Sequence, residues 1–208
     1  MRTTPITDNL IQLTRSALVN AYLVREDDGF TLVDTTLPKT AGEIIAAAKL
    51  AGGDIKRIVL THGHSDHVGS LDALKDALGV DVYMPELDAR IHAGEAYDGK
   101  LRGGWPKLAT RPDVRINGGD TIGSLETIAS PGHTPGHVSF LDTRDRTLIA
   151  GDAFATVGGL STPDKPKWRF PLVWYATCDR PQAGESARAL LAREPARIAA
   201  GHGKVITR

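Results

Sequence analysis

The chain holds one cysteine, Cys178, in 208 residues, which excludes an intramolecular disulfide and fits a reducing compartment. It also lacks an excess of either charge. Lys plus Arg and Asp plus Glu each total 25, so no bulk field favours nucleic acid or an anionic membrane. No apolar run approaches the ~20 residues of a spanning helix, and Met1 to Pro5 does not lead into a signal-peptide core. The expected partner is a small-molecule substrate, not nucleic acid or membrane, and the expected location is cytoplasmic. Aromatic residues make up only 5% of the chain, and all three tryptophans fall in two irregular segments.

What the sequence does hold is a dense cluster of metal-binding side chains. Thr61-His62-Gly63-His64-Ser65-Asp66-His67 sets three imidazoles and a carboxylate directly after the apolar run Ile58-Val59-Leu60. Neutral imidazole and carboxylate are the donors that Zn²⁺ and similar ions prefer. His62 and His64 lie two apart on what reads as extended backbone, so both leave on one side and can share an ion. Asp66 and His67 come where the chain turns into a helix and diverge from that pair, which argues for a second ion beside the first.

The surrounding pattern supplies strands whose ends could carry the remaining donors. Residues 9–34 read as strands, Ala17–Val24 and Phe30–Asp34, around an Asp28-Gly29 turn. The capping box Thr40-Ala41-Gly42-Glu43 opens a helix ended by Gly52-Gly53. A strand at Ile55–Leu60 follows, then a helix over 66–78, a strand over 80–84 and a short helix opened by Pro85. Strands at 113–116, 121–122, 125–130 and 137–141 read as a meander. Arg146–Ala150 leads to Gly151-Asp152, Pro181–Arg193 is the last helix, and Ile198–Ala200 is the closing strand. The expected architecture is α/β, a four-layer αββα sandwich in one domain over 1–208, with loop inserts at about 94–112 and 153–178.

Three isolated donors stand at strand ends beside glycine: His133, Asp152 and His202. Each alone would be an ordinary turn or cap residue; together with the first cluster they complete a two-metal set. His92, on a helix with charged neighbours, reads as solvated. His137 reads equally as a hydrogen-bonding support behind the donors or as structure. Cys178 reads as a packed or idle thiol.

The His62-x-His64-x-Asp66-His67 run with His133, Asp152 and His202 resembles the metallo-β-lactamase-fold superfamily, over nearly the whole chain. The resemblance implies an αββα sandwich with two Zn²⁺, or alternatively iron or manganese, at one edge of the sheets. It implies that His62, His64 and His133 hold the first metal, that Asp66, His67 and His202 hold the second, and that Asp152 bridges. Asp34 matches a carboxylate that orients the site from behind. The chemistry expected is hydrolysis by a water shared between two metals about 3.5–4 Å apart, with Asp66 carrying the proton.

Departures from the pattern narrow the branch. β-Lactamases of the family place Cys or Ser where Asp152 stands. Homoserine-lactone lactonases carry Tyr where this chain has Ala155. Glyoxalase II-like thioesterases share the Asp but add a C-terminal helical domain, whereas here six residues follow His202. The expectation is a glyoxalase II-like or lactonase-like enzyme opening a small ester, lactone or thioester. Trp105, Phe154, Trp168, Phe170, Trp174 and Tyr175 are the expected pocket for an apolar acyl or ring group, or alternatively a homodimer interface. The rival readings are a mononuclear-iron persulfide dioxygenase, using the positions of His62, His133 and Asp152, and a metal-binding protein without turnover.

Overall fold

A computed structural model describes residues 1–208. Strands β1 (Arg2–Pro5), β2 (Leu10–Arg15), β3 (Val19–Glu26) and β4 (Gly29–Val33) open the chain. Helix α1 (Ala41–Leu50), β5 (Ile55–Val59), α2 (Ser65–Val68), α3 (Leu71–Leu78), β6 (Asp81–Pro85) and α4 (Glu86–His92) follow. Beyond an irregular stretch come β7 (Val114–Ile116), β8 (Thr121–Ile122), β9 (Leu125–Ala129), β10 (Val138–Asp142) and β11 (Thr147–Ala155). The chain closes with α5 (Leu172–Ala176), α6 (Arg180–Ala192), β12 (Arg197–His202) and β13 (Ile206–Thr207).

Period-two alternation assigns strand residues to layers. Leu23 and Ile58 face outward, joining Ile44 and Ala47 of α1 and Leu71 and Leu74 of α3 in one buried cluster. Their neighbours Tyr22, Val24 and Val59 face inward, meeting Phe140 and Ile149 in a second cluster built from strands alone. Leu148 and Ala150 face out on the other side against Ala187 and Leu190 of α6. Three apolar layers of this kind require four packed layers, and the expected αββα sandwich is the fold observed. Each fully buried Leu, Ile or Phe in them contributes roughly 1.5–3 kcal/mol.

The two halves join at one narrow seam. Strand β4 stops at Val33, opposite Tyr22 of β3, while further along β3 Val19 is opposite His202 of β12. Asn20 Nδ2 and Tyr22 Oη secure the seam by donating to the Ala200 carbonyl at 2.9 and 2.6 Å. The ends of β4 and β12 therefore lie side by side, and Asp34 and His202 come to the same place.

Several local expectations change. Ala17 is not in a strand: Ser16 and Ala17 turn with φ of 50° and 61° between β2 and β3. Thr40 forms no capping bond, because its hydroxyl is engaged by Thr36 and Leu37, while Glu43 pairs with Arg15 and the N-terminus. The helix expected over 66–78 is two helices, because Gly69 lies against the Leu37–Pro38 backbone and its N–H donates to Thr36 O at 2.9 Å. Of the supposed meander only β8 to β11 is one; β7 pairs in parallel with β6 at the opposite edge. No helix is long and apolar enough to cross a membrane.

Candidate metal centre

The seven expected donors converge on the seam from four chain segments. His62, His64, Asp66 and His67 leave the end of β5 and enter α2. His133 comes from the turn between β9 and β10, and His202 is the last residue of β12. Asp152 does not follow a strand, as expected, but sits inside β11 at an irregularity. There Gly151, with φ 49°, packs so closely that a Cβ would meet His137 Nε2 and Thr61.

Three sets of donor atoms each fall within 4.8 Å: His62, His64 and His133; His62, His67 and Asp152; Asp66, His67 and His202. Asp152 spans the cluster. Its Oδ2 lies 3.3 Å from both His133 Nε2 and His202 Nε2, and its Oδ1 lies 3.4 Å from His67 Nε2. Asp66 Oδ2 approaches His202 Nε2 at 3.4 Å and His67 Nε2 at 4.0 Å. All these side chains are buried except Asp66, which is half-buried and reaches the opening.

The bonds behind the rings fix which nitrogen faces inward. His64 Nε2 and His202 Nδ1 lie 2.9 and 3.1 Å from the carbonyls of Arg102 and Leu18, which can only accept. His67 Nδ1 donates to Asp34 Oδ2 at 2.8 Å. His62 Nδ1 meets Thr61 Oγ1, whose own proton goes to Asp34, and His133 Nδ1 meets Thr177 Oγ1, whose proton goes to Val173 O. Every ring thus spends one N–H outward and turns its other nitrogen inward, where a metal would take a lone pair. His64 Nδ1 and His133 Nε2 then face each other at 2.9 Å, lone pair to lone pair. His62 Nε2, His67 Nε2 and Asp152 Oδ1 are buried without a hydrogen bond. Such groups are costly to bury without a cation among them, so the residues fit a bound metal.

The electrostatics agree. Burial holds His62 and His133 well below the usual imidazole range, so both are neutral donors. Burial also acts to lower His67, but Asp152, Asp34 and Asp66 outweigh it and hold that ring well above its ordinary value. His202, likewise lowered by burial, is carried up to about 9 by Asp152 and Asp66. Burial raises Asp66, yet His67 and His202 bring it down to about 2. Without metal, protons on His67 and His202 occupy the place of a cation.

A pH dependence follows. A folded pKa above the unfolded one stabilises fully below the unfolded value and is lost as pH rises through the folded value. Chelated protein should therefore lose stability between pH ~6.5 and ~9 as His202 releases its proton, by on the order of 3 kcal/mol, and His67, raised in the same direction, should add to the loss. The metal-loaded protein should stay nearly flat, because the ion has replaced those protons. Thermal unfolding midpoints of both forms across that window check this; parallel curves would refute it.

Asp34 and His137 stand behind the donors. Asp34, with φ 62°, accepts from Thr61 N, Thr61 Oγ1 and His67 Nδ1, each at 2.8 Å. His137, which burial lowers to about 3, accepts the Asp152 N–H at Nε2, while its Nδ1 meets Ser130 Oγ at 2.8 Å. It supports the Asp152 backbone rather than facing the cluster.

The expected pocket is only partly assembled. Trp105 sets its edge on His64 with centroids 5.3 Å apart, and Phe170 tilts against His202 at 5.0 Å. Phe154 is fully buried in the layer under α6, because β11 runs on past Asp152. Trp168 and Tyr175 are 84% and 61% exposed, and Trp174 lies between Tyr175 and the Arg180 guanidinium. None of these four touches a donor ring. His92 is not solvated: it is half-buried and donates to Gly63 O at 2.9 Å.

Sequence reasoning passed over Thr61, Thr177 and Asp88. Asp88 is wholly buried on α4, where burial pushes its carboxyl up to about 6, and it bonds both donor loops. Its signal was an acid four residues before His92 on a short helix. The carbonyls of Leu18 and Arg102 left no signal, because a backbone acceptor is independent of residue type.

Known proteins share this arrangement of the chain. A protein of Bacillus subtilis strain 168, YobT, of uncharacterized function, is 43% identical over 196 residues, covering 90% of this chain and 84% of its own length. The probable metallo-hydrolase YflN of the same organism is 31% identical over 218 residues, covering 91% and 82%. Among solved structures, TTHA1623 in a di-iron-bound form superposes with a TM-score of 0.70 at 27% identity, over 93% of this chain and 92% of its own. The profile of the metallo-beta-lactamase superfamily matches residues 16–202, which takes in every donor of the cluster, and the chain belongs to that superfamily.

Proposed function

We propose that the protein is a two-metal hydrolase that opens a small ester, lactone or thioester. The observation that carries this reading is the set of inward-facing ring nitrogens with Asp152 spanning it. His62, His64 and His133 would hold one ion, Asp66, His67 and His202 the other, and Asp152 both. Imidazole and carboxylate donors suit zinc, with iron and manganese as alternatives. TTHA1623, at 27% identity, binds two irons. Two ions bound there would polarise a substrate carbonyl and bring the pKa of a water between them toward neutrality.

The remaining work falls to the chain itself. His62, His67 and His133 are locked by buried bonds, so these donors need little rearrangement during reaction. Asp66 is the one half-buried donor and stands at the mouth. Its partial exposure suits a carboxylate that passes a proton between the site and the leaving group. Trp105 and Phe170 flank the opening on opposite sides of the cluster and suit an apolar acyl or ring group.

Elemental analysis of protein purified without added metal, with ester, lactone and thioester panels run before and after chelation, tests this. Two zincs per chain and chelator-sensitive hydrolysis are expected. Asp66→Ala should lower kcat by roughly 10²–10⁴-fold. A single iron with O₂ uptake on a persulfide, or two metals with no hydrolysis anywhere, would overturn it.

A further inference from the structure

Helix α4 carries a clamp outside the donor set. Asp88 and His92 are four residues apart and so share one helix face. Both reach Gly63, the residue between His62 and His64. Gly63 N–H donates to Asp88 Oδ2 at 2.9 Å, and His92 Nε2 donates to Gly63 O at 2.9 Å. The Asp88 carboxylate also accepts Thr134 Oγ1 and Gly136 N–H, each at 2.7 Å, from the loop that carries His133. Gly63 must be glycine here, since a Cβ would sit 2.5 Å from His92 Nε2 and 2.8 Å from the Trp105 ring.

We propose that Asp88 and His92 are positioning residues that set His62, His64 and His133 as one three-nitrogen site. The inference rests on the two-metal reading above. Donor loops must be held to about 0.5 Å to define a site, and a fully buried carboxylate with three donors and no cationic partner ties two such loops to one helix. The hold is one-sided. His67 bonds to Asp34, His202 meets Leu18 O, Asp152 and Asp66, and none of Asp66, His67 and His202 makes a bond to α4. His92 also tilts against Trp105, centroids 5.2 Å apart, and Trp105 edges His64, so the clamp reaches one wall of the opening.

The test is Co²⁺ titration of the metal-free protein, followed by visible absorption, with a thermal melt of each metal-free variant. His64→Ala and His202→Ala identify which binding event belongs to which half. Asp88→Asn, which keeps the shape but cannot accept three bonds, should weaken the event lost in His64→Ala by roughly 10–100-fold and spare the one lost in His202→Ala. His92→Ala should weaken the same event less, and His92→Gln, which keeps a donor, should restore it. A lower melting point with both events unchanged, or both weakened alike, would reduce α4 to scaffold and overturn the proposal. A wild type with fewer than two binding events would instead remove the two-metal reading on which it rests.

Discussion

Asp152→Ala is expected to leave a folded protein that retains at most one metal and hydrolyses its substrate roughly 10³-fold more slowly or worse. Asp152 is the carboxylate that approaches three of the five inward rings, His67, His133 and His202, through both oxygens. Its loss leaves three separate imidazoles around a site with no anion to join the halves. The fold should survive, because His67 and His202 owe their raised pKa largely to this carboxylate and revert toward neutrality once it is gone. Asp152→Asn separates charge from shape, and its metal content should fall nearly as far. Elemental analysis with kcat/KM checks both variants; two retained metals and activity within tenfold of wild type would exclude the spanning role.

Asp34 should show the second large effect, with a different signature for each substitution. Asp34→Ala strands three buried donors, Thr61 N–H, Thr61 Oγ1–H and His67 Nδ1–H. At about 1–3 kcal/mol for each unsatisfied group, a loss of several kcal/mol is expected. Alanine also tolerates φ 62° poorly. Asparagine accepts that backbone and can keep the Thr61 N–H bond, so Asp34→Asn should cost far less stability. Its amide, however, presents hydrogens toward His67 Nδ1. The ring must then take the other tautomer and turn its N–H into the cluster, so metal affinity should fall by roughly 10–100-fold in a well-folded protein. Denaturant unfolding with metal titration separates the two. Equal losses of stability in both variants, with metal binding intact, would refute the tautomer argument.

The donor types were legible in the sequence because metal chemistry admits few side chains and those it admits are rarely grouped by chance. His62, His64, Asp66 and His67 declared themselves by density, and His133, Asp152 and His202 by glycine neighbours at apparent strand ends. The layers were legible because alternation along β3, β5 and β11 assigns each residue a face. The pocket was not. An aromatic residue in an irregular segment carries no periodicity, so Phe154, buried under α6, and Trp168, 84% exposed, looked alike.

Alone, the sequence determined the metal-binding donor types and the layer order, since both depend on residue type and short-range period. Tertiary structure decided the seam, where β4 ends and β12 lies opposite β3, so that Asp34 and His202 both meet His67. It also decided the tautomers, set by the carbonyls of Leu18 and Arg102 and by Thr61 and Thr177. It made Asp88 and His92 a clamp on Gly63 rather than two polar residues on a short helix. The physical reason is the same in each case: these contacts join residues far apart in the chain, often through backbone groups that every residue possesses, so no local pattern records them.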